Sequence, residues 1–179
     1  MCLCGGKTSM SRGPAGIIFV RENFSKVEFL LGRERRWRLT PAIDGTYRSC
    51  YSKFVYTHAF GKYEPDDDAS VEDTAIREAK EEHPGLITPE IEHIIRNHGQ
   101  FPNIVSLKRL NWKVDDRNKS QHGWFIVFDI TNGPQLGHAS SKDCPLPSMR
   151  WYPTHLLPNP LNYPAYTIIE DILKSCVVK

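Results

Sequence analysis

The stretch Arg77-Glu78-Ala79-Lys80-Glu81-Glu82 decides how this chain is read. Three carboxylates at i, i+3 and i+4 share one face of any helix that carries them. Like charges at that spacing repel, at roughly 0.2–0.5 kcal/mol per pair in an isolated helix. Such a face is either simply solvated or it holds a cation. Mg²⁺ takes carboxylate oxygens and keeps further positions for water and substrate phosphate.

The helix itself is well signalled. Ser70 followed by Asp73 forms a capping box, and Glu72 and Asp73 place negative charge in the first turn. Val71, Ala75 and Ala79 mark a buried stripe with Thr74 and Ile76 at its edges, and Pro84-Gly85 ends the helix after His83. The reading sets Glu78, Glu81 and Glu82 on a different side from the alanines. Arg77 lies four residues from both Asp73 and Glu81, within reach of either.

Upstream, Gly61-Lys62-Tyr63-Glu64-Pro65-Asp66-Asp67 is a polar lead-in, preceded by Trp37-Arg38-Leu39-Thr40-Pro41. This ordering resembles the Nudix hydrolases: Trp and Pro, a Gly-rich strand end, an acidic loop, then Arg-Glu-x-x-Glu-Glu and a closing Gly-Leu, here Gly85-Leu86. The box covers 61–86, and the strand order extends the resemblance over most of the chain. Phe60-Gly61 replaces the usual Gly-Gly. The acidic loop residue counted from Gly61 is Asp67, with Asp66 and Asp68 beside it. The loop to Arg77 is about two residues long for the pattern, and one extra residue separates Glu82 from Gly85. The segment 42–59, with Asp44-Gly45 and the aromatics Tyr47, Tyr51, Phe54 and Tyr56, reads as an inserted hairpin or loop.

The resemblance implies a Nudix-like α/β/α sandwich and a Mg²⁺-dependent (or Mn²⁺-dependent) pyrophosphohydrolase. Glu78, Glu81, Glu82 and the Gly61 carbonyl would hold the metal. Glu78 or Glu81 would act as base, with Arg77 orienting the acidic face. Asp115, Asp116 and Asp143 are candidates for a further acid. Arg33, Arg35, Arg36, Arg38, Lys53 and Lys62 would bind the substrate, expected to be a nucleotide-linked phosphoanhydride, as in an RNA cap or a dinucleoside polyphosphate. A diphosphoinositol polyphosphate is the alternative substrate, and a non-catalytic nucleotide- or RNA-binding module is the alternative class. No double-stranded DNA partner is expected.

Composition agrees with one globular domain. The chain has 179 residues, a net charge of +2 and ordinary charged and apolar fractions. No run approaches the roughly 20 apolar residues of a membrane span. Residues 1–13 read as a flexible N-terminus without a signal-peptide core, ahead of a single domain over 14–179. Five cysteines at spacings unlike a zinc site suggest reduced thiols and a cytoplasmic location. Charge is polarised. Acids dominate 64–82, bases dominate 33–53, and Lys108, Arg109, Lys113, Arg117 and Lys119 form a second basic group. Acids for a metal beside bases for phosphate suit a polyphosphate.

Strands are expected at 15–20, 27–32, around Trp37, at 104–114, 123–130 and 149–152, and helices at 89–97, with Thr88 as cap, and at 166–176. Trp124-Phe125-Ile126-Val127-Phe128 is apolar enough to be central. Strands interspersed with helices imply a mixed sheet covered on both faces.

Overall fold

The computed structural model describes residues 13–41, 47–114, 119–138 and 149–177, of which 34–41, 47–54, 113, 114, 119, 120, 163, 176 and 177 are described by backbone alone. The expectations placed on Cys2, Cys4, Asp44-Gly45, Asp115, Asp116 and Asp143 lie outside the described residues.

The chain runs β1 (Ala15–Asn23), β2 (Lys26–Pro41), β3 (Tyr47–Thr57), β4 (Ala59–Gly61), α1 (Val71–Glu82), α2 (Pro89–Arg96), β5 (Val105–Val114), β6 (Lys119–Asp129), β7 (Met149–Pro153) and α3 (Tyr163–Val177). The sheet order is β3-β2-β1-β6-β5, with β4 beside β1 and β7 beside β2. β1 and β6 run parallel, while β1 and β2, and β5 and β6, run antiparallel, so the sheet is mixed.

Alternation along β1 builds both cores. Ala15, Ile17 and Phe19 join α1 and α2 on one face, where Ala75, Ala79, Ile91, Ile94 and Ile95 are buried. Ile18 and Val20 face the other way, toward Ile168, Ile169 and Ile172 of α3. A buried strand with both faces covered reads as a continuous apolar run, as 15–20 does. β6 stands between β1 and β5, the central place its sequence suggests.

Three differences from the sequence reading matter. First, the Trp37 strand is not separate. β2 is one 16-residue strand whose pairing with β3 shifts register between Arg35 and Trp37. Second, β4 has three residues, too few for a periodic signal, yet it carries Gly61 to the edge of β1 through Ala15↔Gly61. Third, β1 and β2 pair only near their shared turn, and β4 takes the vacated edge of β1. This split sets β4 beneath α1.

Both anticipated helix caps form. Ser70 Oγ accepts from the Asp73 amide at 3.1 Å, and Thr88 Oγ1 accepts from the Ile91 amide at 3.3 Å. Asp73 does not pair with Arg77. It pairs with Arg96, which also holds Glu92 at 3.0 Å and so ties α2 to α1. Gly85 has φ +87°, a left-handed conformation suited to glycine at a helix end. Among the described residues no helix is long and apolar enough to cross a membrane.

His58, between β3 and β4, is 1% exposed, and neither of its ring nitrogens has a hydrogen-bond partner. Its ring packs against Phe60 and Phe125 at 5.8 and 5.5 Å. Burial first, then the nearby His83, lowers its pKa to about 3. A lowered imidazole pKa means the folded chain binds fewer protons than the unfolded one between pH 6.5 and 3. His58 therefore adds stability above pH 6.5 that is lost as pH falls toward 3. Between pH 7.5 and 5 the loss is expected to be about 2 kcal/mol. His83, whose pKa burial lowers to about 4, adds a similar loss over the same range. Urea unfolding at the two pH values should show both contributions, and His58→Leu should remove about half of the difference.

Candidate active site

Glycine at position 61 is dictated by α1. A Cβ there would lie 1.9 Å from Glu78 Cδ and about as close to both of its carboxylate oxygens, at 2.0 and 2.1 Å. Only a residue without a side chain lets β4 pass this close to the carboxylate. The neighbouring glycine of the usual pair is not needed. Phe60 points to the opposite sheet face, stacks on Phe125 at 5.3 Å and meets Trp112 edge-on at 5.5 Å. Gly123 makes the room, since a Cβ there would come within 2.7 Å of the Phe60 ring.

Glu78 is not on the far side of the helix from the alanines. At 100° per residue, Glu78 and Glu82 fall among the positions of Thr74, Val71 and Ala75, all of which are buried. The Glu78 side chain is 13% exposed and ion-paired with Arg77 Nη1 at 3.0 Å. Glu81 is the outward member, 53% exposed and 3.4 Å from the same Nη1. Glu82 is half-buried and directly precedes His83, which closes the helix. Burial pushes the Glu78 carboxyl above its usual pKa. Arg77 opposes that push, and the charges of Glu81 and Glu64 add to it.

Arg77 organises the site. Its Nε and Nη2 fork onto the two oxygens of Asp68 at 3.1 and 3.0 Å, and Nη2 also donates to the Lys62 carbonyl at 2.6 Å. The Asp68 side chain is 1% exposed. Its Oδ2 accepts from the Glu64 amide at 2.9 Å, which closes the loop back onto itself. Burial alone would raise the Asp68 pKa. The hydrogen bonds from Arg77, the Glu64 amide and Thr74 outweigh it, and the carboxyl is held below its ordinary value. The Asp68 hydrogen bond in turn raises the Arg77 pKa further. The acidic partner of Arg77 is thus Asp68, not the Asp67 obtained by counting from Gly61. Asp66 and Asp67 are exposed. The lengthened loop displaces the acid by one position, and burial against Arg77 selects it.

Of the expected substrate-binding residues, Lys62 is exposed beside this network through its own carbonyl. Arg33 is exposed on β2, opposite Tyr56 of β3. Arg35, Arg36, Arg38 and Lys53 belong to the β2–β3 ladder, and their side chains lie outside the described residues. The second basic group is partly engaged in the fold. Lys108 pairs with Asp171 at 2.6 Å, and Arg109 lies 5.8 Å from the centre of the Trp124 ring.

Past the end of α1, Leu30, Leu86, Leu136, Met149 and Trp151, with Gly137 and His138, line a mostly apolar cavity of 320 Å³. The Gly137 amide donates to the Leu86 carbonyl at 3.0 Å, fixing one wall to the helix end. The Arg21 guanidinium lies 4.2 Å from the centre of the Trp151 ring. Nothing in the isolated sequence pointed to this cavity, because its walls come from four separate segments.

No family model matches the chain, and no curated protein does. Solved structures do. A bifunctional NMN adenylyltransferase/ADP ribose pyrophosphatase from Francisella tularensis, complexed with AMP and a manganese ion, matches with a TM-score of 0.52 at 14% identity. The match covers 91% of this chain and 41% of that one, so it concerns a part of the bifunctional protein. The NUDIX domain of Shewanella oneidensis NrtR, complexed with ADP ribose, matches with a TM-score of 0.48 at 12% identity, over 91% of this chain and 86% of that one. A Nudix hydrolase from M. smegmatis, RenU, matches with a TM-score of 0.47 at 12% identity, over 92% and 87%. This chain has the Nudix fold. At these identities the likeness concerns the fold, and function rests on the residues. In the Nudix fold α1 carries Arg77, Glu78, Glu81 and Glu82, and β4 brings Gly61 against it.

The donors suit a hard divalent cation: carboxylates and a backbone carbonyl, with no thiolate or imidazole among them. Glu78, whose burial raises its pKa and to which the charges of Glu81 and Glu64 add, is a group that a cation would stabilise. As the side chains stand, Arg77 Nη1 lies between Glu78 and Glu81. Among the described residues no three carboxylate, imidazole or thiol groups converge closely enough to enclose an ion.

Proposed function

We propose that the chain is a divalent-metal-dependent pyrophosphohydrolase that cleaves a phosphoanhydride in a nucleoside-diphosphate-linked molecule. The observation that carries this reading is the contact between Gly61 and Glu78, locked by the Arg77–Asp68 fork. A structural helix has no need of a glycine pressed onto a half-buried carboxylate.

Glu78, Glu81, Glu82 and the Gly61 carbonyl would hold Mg²⁺ or Mn²⁺. When bound, the ion polarises phosphate oxygens and lowers the pKa of water. The remaining work belongs to the chain. Arg77 fixes the orientation of Glu78 through its ion pair and that of the 62–68 loop through Lys62 and Asp68. Glu78, held by Arg77 at 3.0 Å and set against Gly61, is the carboxylate placed to accept a proton from attacking water. Exposed Lys62 offers an ammonium to the substrate phosphates.

The cavity beside Leu86 favours a nucleoside over a diphosphoinositol. Its leucines, methionine and Trp151 offer apolar surface for a planar ring, and an inositol polyphosphate has no such face. Trp151→Ala is expected to raise KM for a nucleoside-linked substrate roughly 10-fold, the loss of about one stacking contact. kcat should change little. Steady-state kinetics checks this, and an unchanged KM would remove the cavity from the substrate path. ADP-ribose, dinucleoside polyphosphates and capped RNA are the substrates to compare.

Arg77 standing between Glu78 and Glu81 favours a second reading, a non-catalytic binding module of the same fold. The two readings part on one experiment. The pyrophosphohydrolase releases phosphorylated products from at least one of these substrates when Mg²⁺ or Mn²⁺ is present. The binding module releases none.

A further inference from the structure

The β2–β3 hairpin outruns the rest of the sheet. β2 pairs with β1 over 26–29 and with β7 over 28–32. From 33 to 41 its strand partner among the described residues is β3 alone. β3 ends the sheet. At Tyr56 its outer edge is occupied: the Tyr56 amide donates to the Pro160 carbonyl, and the Tyr56 carbonyl accepts from the Asn162 amide, both at 2.9 Å. Over 47–55 no such cover exists among the described residues. A two-stranded ribbon alone is marginal in water, and an open edge is a template for another strand.

The register says which groups face outward. Tyr56 turns its amide and carbonyl away from β2 and lies opposite Arg33. Every second residue of β2 repeats that arrangement: Arg35 opposite Phe54, then, past the register shift, Trp37 opposite Tyr51, Leu39 opposite Ser49 and Pro41 opposite Tyr47. Pro41 has no amide to donate to β3, which is consistent with this assignment. The amides of Tyr47, Ser49 and Tyr51 therefore face the open side.

We propose that a second copy of this chain covers β3, the two strands forming an antiparallel ladder about a two-fold axis at Ser49. Such an interface is self-complementary, as a two-fold requires. It sets Tyr47 opposite Tyr51 of the second copy and Arg48 opposite Cys50, so no two like-charged residues hold opposite register positions. The open edge of β2 discourages the same pairing. A ladder about Trp37 would set Arg36 opposite Arg38 of the second copy, twice, and like charges directly opposite are destabilising. A ladder about Leu39 avoids that but brings in Pro41, which has no amide to offer, so β3 is the better template of the two edges.

Ser49→Pro tests this, because its lost amide faces outward and serves no β2–β3 bond. In sedimentation equilibrium the wild-type chain should have twice the mass of its 20.5 kDa monomer, and Ser49→Pro the mass of one copy. A monomeric wild type, or a dimeric Ser49→Pro, overturns the proposal. Should the variant fail to fold, amide exchange in the wild type decides. The amides of Tyr47, Ser49 and Tyr51 should exchange at least ~10-fold more slowly in the dimer than after dilution to monomer. Exchange independent of concentration overturns it equally.

Discussion

Gly61→Ala is expected to lower metal-dependent hydrolysis by roughly 100-fold, the scale that a misplacement of about 1 Å costs a reacting group. A Cβ at position 61 would occupy the space of the Glu78 carboxylate, 1.9 Å from its Cδ. The Glu78 side chain is only 13% exposed, so the carboxylate must rotate away or β4 must lift from β1. Either movement breaks the relation between the carbonyl of Gly61 and the acid. Gly99→Ala is the control, since a Cβ there meets nothing within 4 Å. Gly61→Ala with Glu78→Ala should regain the stability lost in Gly61→Ala but not the activity. Thermal unfolding and initial rates on the four proteins separate a steric effect from general destabilisation. Wild-type activity in Gly61→Ala would show that this contact does not serve the chemistry.

The second large effect is expected at Asp68. Asp68→Ala removes the buried partner of Arg77 and leaves the Glu64 amide without its acceptor. Breaking one side of a buried pair costs about 3–5 kcal/mol. For a chain of this length that corresponds to a fall in Tm of about 10 °C. Asp66 and Asp67 are exposed, and alanine at either should change stability by no more than about 0.5 kcal/mol. The pH dependence has a defined sign. The folded Asp68 carboxyl is held below its ordinary value, so its contribution is complete above that value and disappears as pH falls through the lowered one. Activity should fall with stability, because the guanidinium freed from Asp68 no longer holds Glu78 and Lys62 in place. Equal losses at Asp67 and Asp68 would contradict the assignment.

The contrast between Asp67 and Asp68 shows where sequence reading stops. Local chemistry was legible. The Ser70 and Thr88 caps, the Pro84-Gly85 stop and the apolar runs of β1 and β6 each follow from a few neighbouring residues. Geometry set by distant partners was not. Spacing from Gly61 points to Asp67, but a loop two residues longer than the pattern can fold to present Asp68 instead. Burial against Arg77 then decides. Glu78 and Glu82 have polar side chains, so the reading assigned them to the open side. Helical angle places them in the buried sector, where β4 supplies a glycine for one of them. The three residues of β4 are too few to carry a period. The buried imidazoles of His58 and His83 look like ordinary polar residues until the strands around them are placed. In sequence the length of β2 is divided in two because the charged run Arg33-Glu34-Arg35-Arg36 interrupts its apolar residues.

The proposed hydrolysis needs the acids of α1 to act with a divalent ion on a phosphoanhydride. The most direct measurement follows products from ADP-ribose, a dinucleoside polyphosphate and capped RNA by ³¹P NMR, with and without Mg²⁺ or Mn²⁺. It compares the wild-type chain with Glu81→Gln/Glu82→Gln. Cleavage of at least one substrate by the wild type is expected only when the metal is present, and it should be lost in the double variant. No product from any substrate, or cleavage that ignores both the metal and the two substitutions, would contradict it.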